Sequence, residues 1–320
     1  MFIARRRVLG LALGAGFLSR LSAKPRATQR RYSVHATVTL LAVPLVSRSD
    51  VGSGYILIEQ AEATSAACTT AIQLGAGSWP EAARGLNRLG FIQEVVTERH
   101  PAQPLECSYF AFMTSSQEKS LDQAKKALDT QGDSVPYAAA QGTGREGQFV
   151  SRLSRINFPS QLTWRDCPRL VDEVRAALSA EAPTQRIEKT LATDESAPAT
   201  FLYAVRNAIL DPSSATTGSL IYNGKEYQLR TTKEPDTAAC AHFAGRKLIR
   251  EGGRVMRLNA ALEEQATGRE TPFKVWYEAG AEHLPPLRFE YQAKSFLRLT
   301  FEFDSTVSCP AVVPSLSDAI

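Results

Sequence analysis

The chain has 320 residues, 43% of them hydrophobic and 22% charged, which is enough apolar content for one large packed domain or two small ones and excludes overall disorder. Its net charge of +4 does not signal a nucleic-acid binder, because residues 1 to 49 hold nine Lys and Arg and no acid. Removing a leader near Ala23 takes away Arg5, Arg6, Arg7 and Arg20, and +4 minus 4 leaves a neutral mature chain.

Met1 to Ala23 has the three parts of an export leader: a basic start, an apolar run from Val8 to Leu18, and small residues at Ser22-Ala23. The run is too short for a bilayer span, which needs about 20 residues. Arg5-Arg6-Arg7-Val8-Leu9 resembles a twin-arginine export motif, with Ala4 where that motif carries Ser or Thr. An organellar transit peptide is the alternative, since the stretch is Arg-rich and free of acids. No other stretch is long and apolar enough for a transmembrane helix, so no span is expected after leader removal. Cys68, Cys107, Cys167, Cys240 and Cys309 are widely spaced without a C-x-x-C pair. An oxidising compartment would allow two disulfides, but small buried core residues are the expectation for most of them.

Tyr32 to Val46 is rich in β-branched residues, and Ser47 to Ser53 reads as a turn leading to Tyr55-Ile56-Leu57-Ile58-Glu59, together an opening hairpin. A third strand from Thr69 to Leu74 runs into Gly75-Ala76-Gly77-Ser78-Trp79-Pro80, expected as a tight loop. Glu81 to Arg99 mixes helical and extended signals. Ser116 to Leu128 has helical spacing, and Asp129 to Gly147 has the composition of a loop. Leu170, Val171, Val174, Ala177 and Leu178 predict a second helix over Asp166 to Glu181, with Pro183 beyond it. Thr190 to Pro198 is polar and loop-like. The middle of the chain, about 115 to 198, therefore reads as a helical and loop insertion in a β-rich chain.

After it come Phe201 to Ala208 and then Ser219 to Leu229, where Asn223-Gly224 between two alternating runs signals a hairpin whose turn needs positive φ. Gly252-Gly253 marks another turn. From Thr271 to Asp304 the sequence predicts a meander: Leu287, Phe289, Tyr291 and Ala293, then Leu297, Leu299, Phe301 and Phe303, alternate with polar residues. The fold class is mainly β, an antiparallel meander curled into a barrel or sandwich. The domain division is leader and linker at 1–30, one β-rich domain at 31–310 and a tail at 311–320.

No catalytic constellation accompanies this body. Gly142-Thr143-Gly144-Arg145-Glu146-Gly147 matches G-x-G-x-x-G, with Asp166 about 20 residues on, but it lacks the strand-to-helix setting of a dinucleotide site and reads as a mobile surface loop. His35, His100, His242 and His283 have no partners at metal-ligand spacing, and Cys240 with His242 is two ligands short of a closed zinc site. There is no G-x-S-x-G elbow, and Ser78 has no designated base. Asp172, Glu173 and Glu181 share a helix with Arg169 and Arg175 and read as a solvated face. No catalytic residue, metal or cofactor is assigned. Trp79, Trp276, Tyr277, Phe289 and Tyr291 are the candidates to line an apolar cavity, and an aromatic core is the competing reading.

Leu210-Asp211-Pro212-Ser213-Ser214, the hairpin Tyr222 to Leu229, and Val275-Trp276-Tyr277 leading to His283-Leu284-Pro285 resemble an uncharacterised exported bacterial family, the domain-of-unknown-function family numbered 3108. Tyr32 to Tyr55, with Val51-Gly52-Ser53-Gly54, resembles its opening strands. The likeness covers about half the chain and departs from it over 75 to 195. It implies a barrel-like antiparallel body in the cell envelope and brings no catalytic residues. The expectation is a periplasmic or otherwise exported protein without catalysis, a binding or structural module for an apolar or amphipathic ligand or an envelope partner. The alternative is an envelope hydrolase or transferase recruiting Ser78, His100 or His242 across the fold.

Overall fold

A computed structural model describes residues 26–40, 43–64, 67–83, 85–99, 103–115, 123, 134–145, 147–179, 185–190 and 199–311. The leader, the helix expected at Ser116 to Leu128 (apart from helical Gln123), most of the polar stretch ending at Pro198, His100 and most of the tail lie outside them. The first eight strands are β1 (Arg26–Leu40), β2 (Val43–Thr64), β3 (Ala67–Ser78), β4 (Leu89–Arg99), β5 (Gln103–Thr114), β6 (Ser134–Arg145), β7 (Gln148–Pro159) and β8 (Gln185–Thr190). Six more follow: β9 (Ala215–Tyr222), β10 (Lys225–Pro235), β11 (Val255–Glu264), β12 (Glu270–Glu278), β13 (Arg288–Lys294) and β14 (Leu297–Phe303). The helices are α1 (Cys167–Ser179), α2 (Phe201–Leu210) and α3 (Thr237–Gly245).

All fourteen strands form one antiparallel sheet made of two meanders, β8 back to β1 and β14 back to β9. They join where β1 pairs with β14, Tyr32 opposite Phe303 and Val34 opposite Phe301. No ladder links β8 to β9 among the described residues, so the sheet is barrel-like but open. Strand twist makes a sheet this wide curl. It curls past closure: Ile221 and Tyr222 of β9 pack against Ile92, Tyr109, Ala111, Ala140 and Phe149 on the inner face of β4 to β7. The body is a scroll whose β9 edge is tucked inside.

The two faces of each strand separate the helices. On the inner face, α2 packs Phe201, Val205, Ala208 and Ile209 against Leu220, Leu229, Leu258, Val275 and Tyr277. On the outer face of the first meander, α1 buries Leu170, Val171, Val174 and Leu178 against Phe91, Phe112, Tyr137 and Phe158. The apolar stripe that predicts this helix is the stripe that docks. A single 3-10 turn, Trp164–Asp166, starts it with a capping box between Thr163 and Asp166. On the outer face of the second meander, α3 brings Phe243 against Val255, Trp276 and Leu287. Among the described residues no helix is long and apolar enough to cross a membrane.

The closing meander and the Asn223-Gly224 turn are as the sequence predicts, with φ of 49° and 67° at the two turn residues. Several turn-like stretches are instead strand. Ser47 to Ser53 lies inside β2, where a register shift against Val34 and Ala36 makes a bulge and Asp50 takes φ 55°. Gly75 to Ser78 is the end of β3. A Cβ on Gly75 or Gly77 would lie 2.8 or 2.5 Å from Trp164, so these glycines mark a close approach, not a loop. Ser134 to Arg145, expected as loop, is β6, and its first fingerprint glycine, Gly142, lies under Tyr109 and Phe149. The middle of the chain thus supplies β6, β7 and β8 to the sheet besides α1. Phe201 to Ala208, taken with the strands that follow it, is α2.

Candidate functional site

The scroll leaves a groove where its inner edge meets its overhanging wall. Cross-strand pairing sets the inner face of β5, β6 and β7 in rows: Met113, Ala138 and Arg155, then Ala111, Ala140 and Leu153, then Tyr109, Gly142 and Ser151. Three alanines in neighbouring positions leave open the space that larger residues would occupy. The result is a trough of about 390 Å³, floored by Ala111, Ala138 and Ala140 and walled by Leu153 and by Tyr222-Asn223 of the β9–β10 turn. The row behind it, outside the lining, is filled by rings. The Tyr109 ring stacks on Phe149 with centroids 5.8 Å apart, and its hydroxyl is 2.6 Å from Ser151 Oγ. Burial pushes the Tyr109 phenol up to about 12, so it stays neutral. At the outer row Met113 is 51% exposed, one of the few large apolar side chains left in solvent among the described residues.

The buried carboxylate nearest this groove has a structural task. Glu94 of β4, 1% exposed, lies across from Tyr109 on the inner face. It accepts from Thr200 Oγ1 at 2.6 Å and from the backbone N–H of Leu202 and Tyr203 at 2.9 Å each. It thereby satisfies the open first turn of α2 in place of the helix's own N-cap, whose side chain makes no local capping bond. Burial raises its pKa, and the hydrogen bonds from α2 oppose that shift. Four residues further along β4, Glu98 accepts from the Tyr203 hydroxyl. Three of these bonds from α2 commit Glu94 to holding that helix.

The other groups that could carry chemistry are also engaged. Ser78 Oγ is 2.5 Å from the Leu86 carbonyl and accepts from Arg88 N at 2.9 Å, which ties the loop after β3. Ser33 and His35 form a serine-histidine pair at 3.1 Å, but His35 Nδ1 accepts from Asp50 N at 3.3 Å. The proton therefore sits on Nε2 and points to Ser33, the reverse of what a general base requires. His242 Nε2 is 2.8 Å from Glu302, and Cys240 Sγ donates to the Gly253 carbonyl at 3.3 Å. Among the described residues no three His, Cys, Asp or Glu converge as a metal site. None of the five cysteines is in a disulfide, and Cys107 and Cys167 are buried; burial pushes each of those two up to about 12.

The five aromatic candidates separate into three places. Phe289 and Tyr291 share the inner face with Phe301, Phe289 stacked on it at 4.2 Å. Tyr277 is on the same face, beneath α2. Trp276 points the other way, its indole N–H donating to Asp236 Oδ2 at 2.9 Å beside Arg288. Trp79 packs beside the α1 cluster, with the Arg165 guanidinium 4.8 Å from its ring. None of the five lines the groove. Met113, Ala138, Ala140, Leu153 and Arg155, which do, carry no motif. The alternation Phe149, Ser151, Leu153, Arg155 is the one signal in the sequence that would have put β7 beside them.

No protein-family profile matches the chain. No curated protein matches it. Among solved structures it is similar to a crystal structure of a β-barrel-like protein of domain of unknown function DUF1849 from Brucella abortus, at 7% identity and a TM-score of 0.43, over 87% of this chain and 95% of that one.

Proposed function

We propose that this protein is an exported component of the cell envelope that binds an apolar ligand without transforming it, and that the ligand lies in the trough between β5–β7 and the β9–β10 turn. The observation that carries the reading is the trough itself. It has a floor of alanines, one leucine wall and an exposed methionine at its rim, where a filled barrel would have been closed by its own side chains. The composition of Met1 to Ala23 supports export, and the resemblance to the exported family numbered 3108 supports an envelope setting.

The test is native and denaturing mass spectrometry of protein exported with its own leader. A mature mass matching cleavage near Ala23, with a dissociable small adduct that Met113→Glu abolishes, is the expected result. An uncut chain would overturn the compartment. A cut chain without adduct, which also fails to take up added hydrocarbon-chain ligands, would overturn the ligand role.

A further inference from the structure

We infer that the ligand of the trough is a single-chain fatty carboxylate, held with its head at Arg155 and its chain along the alanine floor. This rests on the apolar-ligand reading and goes further by naming the chemical class. Of the residues lining the trough, Arg155 alone is charged. It is exposed and makes no ion pair among the described residues. Arg230, Arg257 and Arg288 of the same sheet are, by contrast, engaged: Arg230 with Glu263 and Glu270, Arg257 with Glu234 and Asp236, and Arg288 with Glu302. An arginine with no acid paired to it among the described residues, at the mouth of an apolar trough, is complementary to an anion carrying a hydrocarbon tail.

Register gives the direction. Arg155 shares the outer row with Ala138 and Met113, and Leu153 shares the next row inward with Ala140 and Ala111. Rows on one face are about 7 Å apart along a strand. A head bound at Arg155 therefore sends its tail past Leu153 and over the alanines toward Tyr222, a neutral wall backed by the Tyr109 ring at 5.9 Å. A volume of about 390 Å³ is near the lower end of small-molecule sites and leaves room for one chain, not for the body of a two-chain lipid. A single guanidinium, with no second cation in the lining, matches one negative charge better than the double charge of a phosphate monoester.

The experiment is titration calorimetry of the full chain with dodecanoate, dodecyl phosphate, dodecan-1-ol and dodecyltrimethylammonium, each below its micelle concentration. Dodecanoate is expected to bind about tenfold or more tighter than the alcohol, the scale of one charge-assisted hydrogen bond. Arg155→Gln should remove that advantage and leave the alcohol's affinity unchanged. Ala138→Leu, at an exposed position on the floor, should weaken both ligands while leaving the unfolding midpoint unchanged. Dodecanoate and alcohol binding equally, with Arg155→Gln without effect, would overturn the anionic head while the apolar-ligand reading stands. Dodecyl phosphate binding tighter than dodecanoate would overturn the carboxylate. No binding of any of the four would remove both readings.

Discussion

At the residue scale, the glycines of β3 show how one side chain can dictate the identity of others. Trp164 is fully buried, stacks on Tyr55, and donates its indole N–H to Ser53 Oγ at 2.9 Å. Its ring lies directly on β3, and a Cβ at Gly77 would meet Trp164 Cβ at 2.5 Å. Gly77→Ala should therefore destabilise by about 1–3 kcal/mol in urea unfolding, the usual cost of overpacking a filled site. Gly218 of β9 is the control, because a Cβ there meets nothing within 4 Å. Gly218→Ala should be neutral or stabilising by up to about 1 kcal/mol. Equal effects of the two would mean that Trp164 does not press on the strand. The Gly-Ala-Gly-Ser sequence is legible as a special backbone, but its partner stands far along the chain, so a loop and a close approach look identical from the residues alone.

At the scale of elements, one carboxylate adds a polar tie between α3 and the sheet to the apolar seat of Phe243. Glu302 of β14 receives His242 at 2.8 Å on Oε1, where Arg246 also donates, and Arg288 of β13 at 2.9 Å on Oε2. Partial burial works against ionisation, but the His242 hydrogen bond and the Arg288 charge outweigh it, and the carboxyl lies below its ordinary value of 4.5. A depressed carboxylate contributes stability that is fully present above the unfolded value and lost as pH falls through the folded one. Unfolding free energy should therefore drop on acidification below about pH 5, and Glu302→Gln should lower stability at neutral pH while flattening that limb. An unchanged acid limb in the variant would show that the clamp does not carry it. The strand holding Glu302 is legible from alternation. The convergence of His242, Arg246 and Arg288 on it is not, because pairing of β13 with β14 and docking of α3 are needed to bring them together.

At the scale of the molecule, the open scroll is the feature from which the proposed function follows. A closed barrel would join β8 to β9; here the β9 edge is seated by Ile221, 2% exposed, on the inner face of the other meander. Ile221→Ala should cost about 2–5 kcal/mol. Hydrogen exchange should then accelerate in β9 and β10 and remain unchanged in β2 and β3. Equal acceleration in both meanders would show that the seat is not a separate contact and that the scroll opens only by global unfolding.

By itself the sequence determined the antiparallel class, the closing meander, the Asn223-Gly224 turn and helix α1, since each rests on a local period or a local backbone demand. Alternation places a face, and three-and-four spacing places a stripe, without reference to anything distant. Only the tertiary structure decided that Ser134 to Arg145 is a strand, that α2 lies inside the scroll, and that Met113, Ala138 and Arg155 form one row. Small residues such as Ala138 and Gly142 have weak strand propensity, and what holds them extended is the neighbouring strand on each side. The trough is made of space that large side chains do not fill. An absence of that kind exists only between strands, so no stretch of sequence could display it.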